Sequence, residues 1–242
     1  MKLARIPKQG RVYEEFKLYH LNCEFGSGIP TNSMNKTFAT LKNYIKPDDY
    51  LNSVKAFFVM QDTYKEFPDN DKFEGAFVNR DIYNMRARNY ILSRLENFEN
   101  KAPIIIENYT IEHIMPQNKN LSLEWQAYLG AEWHEVQKKY LHTIGNLTLT
   151  AYNSEMSDRP FREKMNMPGG FKESALRLNK YIVLLNEWNE KHIQERANML
   201  AKKAESIWPY PSLTNVELAP YQEEKKTAQK YSLETYDINA FT

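Results

Sequence analysis

Three separated segments carry the residue types that phosphodiester hydrolysis would need. They are Tyr109-Thr-Ile-Glu-His-Ile-Met-Pro-Gln117, His142-Thr-Ile-Gly-Asn-Leu-Thr-Leu-Thr150 and Tyr152-Asn-Ser-Glu-Met-Ser-Asp-Arg-Pro-Phe-Arg-Glu-Lys164. That reaction needs a base to make water nucleophilic and a divalent cation to neutralise charge on the phosphate and the leaving oxygen. Glu112 beside His113 supplies a candidate for each. A hard cation such as Mg²⁺ keeps most of its waters, so Glu112 and one amide oxygen, from Asn153, would be enough protein ligands. At a strand end the chain can turn so that Glu112 reaches the metal while His113 faces the water. Met115-Pro116 is placed to make that turn, with one nitrogen of a neutral His113 ring oriented by a backbone carbonyl.

Each residue also has a plainer reading. An isolated Glu-His pair is commonly structural, Asn146 after Gly145 suits a turn, and Asn153 at an element start suits a helix N-cap. His142 either positions its loop, touches substrate, or is a hydrogen-bonded structural histidine. The ordered combination of the three segments favours chemistry over these separate explanations. Beside them the cations Arg159, Arg162, Lys164, Lys172, Arg177 and Lys180 outnumber the acids Asp158, Glu163 and Glu173. The alternatives there are a nucleic-acid-facing strip and an ordinary solvated helix face.

The elements that would position these groups read as follows. Asn35 to Ile45 is an amphipathic helix, and a second starts near Asp48 with Tyr50, Leu51, Val54, Phe57, Phe58 and Gln61. After a turn at Phe67 to Lys72, a third helix runs from about Arg80 to Asn100. Ala102 to Ile111 is rich in β-branched and aromatic residues and leads into Glu112 as a strand, and Leu147-Thr-Leu-Thr150 is its partner. Between them, Leu121 to Tyr140 reads as one or two short inserted helices. After Pro168-Gly-Gly170, the spacing of Phe171, Ala175, Leu178, Ile182 and Leu185 predicts a long helix. Ile193, Ala197, Leu200, Ala204 and Ile207 predict another, ended by Trp208-Pro209.

The expected fold is thus mostly α with a small β element (α+β). The expected divisions are a helical region over 1–104, a ββα core over 105–168, a helical pair over 169–210 and a peripheral extension over 211–242. The 242 residues carry 32 Lys+Arg against 31 Asp+Glu, net +1, so a nucleic-acid surface must be local. Cys23 is the single cysteine, which excludes an intramolecular disulfide framework and paired zinc knuckles. With no leader-like start and no apolar run long enough for a membrane span, a cytoplasmic setting and no membrane partner are expected. No phosphate loop and no dinucleotide-binding glycine motif is present.

Glu112-His113-Ile-Met-Pro116, Gly145-Asn146-Leu-Thr-Leu149 and Asn153 together resemble the HNH, or His-Me finger, nuclease motif, whose ββα-metal element would then sit centrally between helical flanks. More narrowly, residues from about Ile82 to Pro209 resemble the nuclease domain of GmrSD-type modification-dependent restriction endonucleases and related phage-defence proteins. The resemblance implies an endonuclease on foreign, modified DNA using Mg²⁺ or Mn²⁺. It assigns Glu112 and Asn153 as metal ligands, His113 as general base and Asn146 as the residue holding loop and base in place. Lys164, Arg159 and Arg162 fall where cations would grip DNA phosphates. Glutamate replaces the histidine or aspartate usual at the first motif position. The resemblance also implies a nucleotide-hydrolysing, modification-sensing domain or subunit, whose motifs this chain lacks, so the chain would be one subunit or part of a longer protein. Competing readings are a binding or interaction module without catalysis, and a nuclease directed at RNA.

Overall fold

The computed structural model describes residues 37–62 and 67–239, with side chains up to 227. These residues are mostly helical, with one two-stranded antiparallel sheet. They fall into two compact units: one takes the described residues up to Asp69 together with those from Tyr210 onward, and the other spans Asn70–Pro209. Cys23 and the first two residues of the helix expected over Asn35–Ile45 lie outside the described residues; 37–41 are helical.

In the first unit a 3-10 turn at Pro47–Asp49, with proline in its first turn, leads into α1 (Tyr50–Val59). Val54, Ala56, Phe57 and Phe58 of α1 are buried, as the apolar spacing requires. Within the segment expected as a peripheral extension, Asn215–Asn239 forms a helix with Pro220 inside it. Polar contacts hold that helix against α1 and its lead-in: Tyr221 donates to Asp49 at 2.5 Å, Lys46 pairs with Glu224 at 2.5 Å, and Lys225 donates to the Met60 carbonyl at 2.8 Å. Polar pairing leaves little hydrophobic periodicity to read.

The second unit opens with α2 (Asn70–Asn79), which starts inside the turn expected over Phe67–Lys72 and for which no helix is read from the sequence, and continues to α3 (Arg88–Asn97). The single helix expected over Arg80–Asn100 is therefore corrected to a loop followed by a shorter helix. Asp81 accepts the Asn84 N–H at 3.0 Å, and the N–H groups of Ile82 and Tyr83 both donate to the His142 carbonyl, at 2.9 and 3.2 Å. These tertiary bonds replace the helical ladder there.

β1 (Thr110–His113) pairs with β2 (Leu147–Thr150), and the register sets Glu112 opposite Thr148 and His113 opposite Leu147. β1 starts later than expected because Asn97 accepts from the Ile104 N–H at 2.8 Å and donates to its carbonyl at 3.0 Å, which uses the groups a strand would offer. Between the strands lie α4 (Leu123–Leu129), N-capped by Ser122, and α5 (Trp133–Tyr140). After β2 come α6 (Asn153–Met156) and α7 (Phe161–Asn166). Trp125, Phe161, Phe171 and Trp188 are fully buried within one core that also takes in Ile114 and Met115, directly after β1.

The long helix expected from Phe171 is instead three 3-10 turns, at Phe171–Glu173, Arg177–Asn179 and Ile182–Leu184. Side chains claim its backbone: the buried Glu96 carboxylate accepts the N–H groups of Arg177 and Leu178, both at 2.8 Å. Asn179 donates to Ser174 Oγ at 2.8 Å and to the Leu149 carbonyl at 3.3 Å. Phe171, Leu178 and Ile182 are buried while Ala175 is exposed, so the spacing reported burial rather than helical periodicity.

α8 (Glu190–Ile207) runs as expected to Trp208, with Asn189 capping its start and Ile193, Ala197, Leu200, Ala204 and Ile207 all buried. It lies tightly against the 3-10 turn at Ile144–Asn146. A Cβ on Gly145 would stand 2.3 Å from the Ile193 carbonyl oxygen and 2.9 Å from its Cγ2. Gly145→Ala is therefore expected to destabilise by about 1–3 kcal/mol through overpacking. Gly75, exposed in α2 with open space where a Cβ would stand, should behave oppositely, with Gly75→Ala stabilising by about 0.5–1 kcal/mol. Urea unfolding midpoints check both signs.

Candidate active site

Glu112 and His113 end β1, and both are buried, at 3% and 4% exposure. They line a cavity of about 350 Å³ together with Pro116, Gln117, Asn118, Asn153, Ser154, Ser157 and Asp158. The strand supplies one wall and the start of α6 the other. Asn153 is the first residue of α6 rather than its cap: Tyr152 occupies the cap position, and the Asn153 side chain is exposed beside the cavity. The second inserted helix holds the rim, because Gln137 of α5 donates to the carbonyls of Pro116 at 3.0 Å and Asn118 at 2.9 Å.

Lys164 is the chief departure from expectation. Its side chain is 0% exposed, so it is not available to grip a phosphate from the surface. Its ammonium donates to Glu112 Oε1 at 2.5 Å, to the His113 carbonyl at 2.9 Å and to the Ile114 carbonyl at 3.2 Å, which uses all three of its protons. Burial pushes the Glu112 carboxyl up and the Lys164 ammonium down from their ordinary values, and each charge opposes the shift of the other. Lys164 thus ties the carboxylate to the two residues that follow it.

Asn146 is fully buried and uses its whole amide. Its Oδ1 accepts from the Met115 N–H at 2.8 Å and from Trp188 Nε1 at 3.2 Å, while Nδ2 donates to the carbonyls of Met115 and Leu141, both at 3.0 Å. It pins the bend after His113 from within and is not among the residues lining the cavity. Gly145 beside it is fixed from the other side by Arg196, which is buried and donates to the Ile144, Gly145 and Leu178 carbonyls at 2.9, 2.8 and 3.2 Å. Burial pulls the Arg196 guanidinium down to about 9.

His113 is held by a ring, not by the backbone carbonyl expected from sequence. Its Nε2 lies 3.1 Å from His142 Nδ1. Tyr83 packs edge-on to His113 with centroids 4.4 Å apart, and stacks on His142 at 5.2 Å with 11° between planes. Burial draws His113 down to about 3; the His142 and Lys164 charges act in the same direction and Asp81 opposes them. The imidazole is therefore neutral near pH 7. Arg159 is half-exposed, donating to the Glu155 carbonyl at 2.7 Å and pairing with Glu163 at 3.0 Å, and Arg162 is exposed on α7.

The arrangement brings together Glu112, His113, His142, Asn146, Asn153 and Lys164, and leaves Arg159 and Arg162 on the surface. Among the described residues no three His, Cys, Asp or Glu side chains are grouped to hold a metal ion. The residues lining the cavity instead carry oxygens: the carboxylates of Glu112 and Asp158, the amides of Asn153, Gln117 and Asn118, and the hydroxyls of Ser154 and Ser157. Such a donor set fits a hard divalent cation that retains much of its water. Asp158 accepts from Asn118 at 3.0 Å, which holds its carboxyl below the usual range.

Sequence reading missed Asp81, Tyr83 and Arg196. The first two lie far from the motif segments in sequence and carry no local signature. Arg196 left a trace, as a cation flanked by Ile193, Ala197 and Leu200 on the buried stripe of α8.

Removing Lys164 strands the Glu112 carboxylate, so Lys164→Met should destabilise by about 3–5 kcal/mol. Glu112→Gln with Lys164→Met should be closer to wild type than Lys164→Met alone, because no buried charge then remains unpaired. Denaturant titration of both variants measures the difference.

A search of curated proteins found no match to this chain. A family model described as GmrSD restriction endonucleases, C-terminal domain, matches residues 67–203, which contain the whole of this site and more than half of the 242 residues. With the motif segments gathered around one cavity and that match spanning them, the chain belongs to the GmrSD restriction endonuclease C-terminal domain family.

Proposed function

We propose that this chain is a metal-dependent DNA endonuclease of the HNH type, with foreign and modified DNA as its target. The observation that carries the reading is the convergence of Glu112, His113 and Asn153 on one oxygen-lined cavity. A neutral imidazole, an ionisable oxygen ligand and an amide oxygen are the parts the reaction requires.

In this reading His113 accepts the proton of a water in the cavity as the water oxygen attacks phosphorus. The 3′ oxygen then leaves. Glu112 and Asn153 would hold a divalent cation, Mg²⁺ or Mn²⁺, whose charge offsets that building on the phosphate and on the leaving oxygen. Lys164 favours the ionised form of Glu112 and engages Oε1, so the cation would be held through the other carboxylate oxygen. Asn146 and Lys164 bind backbone groups of residues 113–115, so the base is set by the frame and loses little freedom when substrate arrives. Arg162 and Arg159 are surface cations suited to phosphates on either side of the cut. Target choice is assigned to a nucleotide-hydrolysing, modification-sensing domain or subunit acting with this one.

Supercoiled plasmid and modified phage DNA, incubated with the protein and Mg²⁺ or Mn²⁺, should be nicked or cut, and EDTA should abolish the reaction. His113→Ala should lower the rate about 10²–10⁴-fold, the usual contribution of a general base. Asn153→Ala should raise the cation concentration needed for half-maximal rate. Equal cutting by wild type and His113→Ala would overturn the assignment of the base. Cutting of RNA at a rate equal to DNA would redirect the reading of the substrate.

A further inference from the structure

The two nitrogens facing each other across 3.1 Å, His113 Nε2 and His142 Nδ1, share one proton between them. Two arrangements are possible in the neutral pair. If His113 carries the proton on Nε2, it donates to His142 and its own Nδ1 is bare. If His142 carries it on Nδ1, His113 accepts through Nε2 and must bear its proton on Nδ1. Only the first leaves His113 able to take a proton. The remaining nitrogen, Nδ1, has no hydrogen-bond partner among the described residues and is absent from the buried atoms lacking one, so it reaches accessible space in a ring that lines the cavity.

The second ring is itself fixed by a loop from a distant part of the sequence. The His142 carbonyl accepts from the N–H groups of Ile82 and Tyr83, and the Tyr83 ring stacks on the imidazole of His142 while abutting that of His113. Arg88 donates to the Tyr83 carbonyl at 2.9 Å and lies over its ring at 5.5 Å. His142 is thereby held by its backbone and by its ring face, with Nδ1 presented to His113.

Building on the nuclease reading, we infer that His142 is a positioning residue that sets the tautomer of His113: it accepts from Nε2–H, so that Nδ1 is the nitrogen offered to the attacking water, and Tyr83 is the platform that holds the two rings at this angle. When His113 takes the proton, Nε2–H still has its acceptor, so the charged ring keeps the same orientation. The pair works without a carboxylate partner on His113.

Three variants separate orientation from folding. His142→Phe keeps a ring on Tyr83 and removes the acceptor; His142→Asn places an amide oxygen near the position of Nδ1; Tyr83→Leu removes the platform and keeps both histidines. Two readouts are needed: cleavage kinetics on plasmid with Mg²⁺ or Mn²⁺, and long-range ¹⁵N–¹H NMR of the imidazoles, which reports tautomers without requiring activity. Wild type should show His113 protonated on Nε2 with Nδ1 bare. His142→Phe should lose kcat at least tenfold with KM little changed and show a mixed His113 tautomer, His142→Asn should recover most of the rate, and Tyr83→Leu should fall between. His113 protonated on Nδ1 in the wild type, or a folded His142→Phe protein with wild-type kcat, would overturn the inference. A wild type that cuts no DNA would defeat the nuclease reading instead, and the His113 tautomer would then decide the relation between the two histidines by itself.

Discussion

A single ammonium group, Lys164 Nζ, binds the carboxylate of Glu112 and the carbonyls of the next two residues inside the protein. An ion pair taken out of water is tolerable only when its partners are close and its remaining donors are satisfied, and this one meets both conditions. The consequence is geometric. The end of β1 cannot rotate or fray without unpairing a buried charge, so Glu112 and His113 leave the strand in one fixed direction. The same arrangement explains why a lysine three residues after Phe161 on α7 is buried, where a phosphate-gripping side chain would be exposed.

Asn146 performs the matching task from the turn that leads into the other strand. With all four amide positions used, two on Met115 and the others on Leu141 and Trp188, it locks the bend that follows His113 to the turn that starts β2. That turn is in turn pressed on α8, where Gly145 admits the Ile193 carbonyl and Arg196 collects the carbonyls of Ile144, Gly145 and Leu178. Helix α8, contributing nothing to the cavity lining, therefore fixes the loop that fixes the bend. Rigidity passes through buried hydrogen bonds with no alternative partner, and each unmade bond would leave a desolvated polar group.

The open side of the site is built differently. Asn153, Ser154, Ser157 and Asp158 come from the short helix α6 and the turn after it, and they are exposed. Ser157 adopts φ 40°, a left-handed conformation uncommon for a residue with a side chain, and ends α6 within one turn. The wall carrying His113 and Glu112 is thus buried and over-determined, while the wall formed by α6 and the turn after it is polar and accessible. In the proposed nuclease reading, that division orients the reacting groups in advance and leaves the open side to a polymer approaching from solvent.

The candidate residues were legible because chemistry constrains type and order within short segments: EHxxP, GN and the following Asn stand in three contiguous pieces of sequence. β2, the two inserted helices and α8 were legible too, since each owes its form to local propensity and an unbroken apolar pattern. The Phe171–Leu185 segment and the Arg80–Asn100 helix were misread for one shared reason. Glu96, Asn179, Asp81 and the His142 carbonyl, remote in sequence or acting through side chains, take the backbone groups that a helix would have used. The direction of Lys164 and the ring partner of His113 could not be read either, because a side chain's fate depends on which groups lie within reach once the chain has folded. By itself the sequence determined which groups are present and that they belong together. Only the tertiary structure decided which of them touch the cavity and which hold it, because burial and hydrogen-bond geometry exist only between segments brought together.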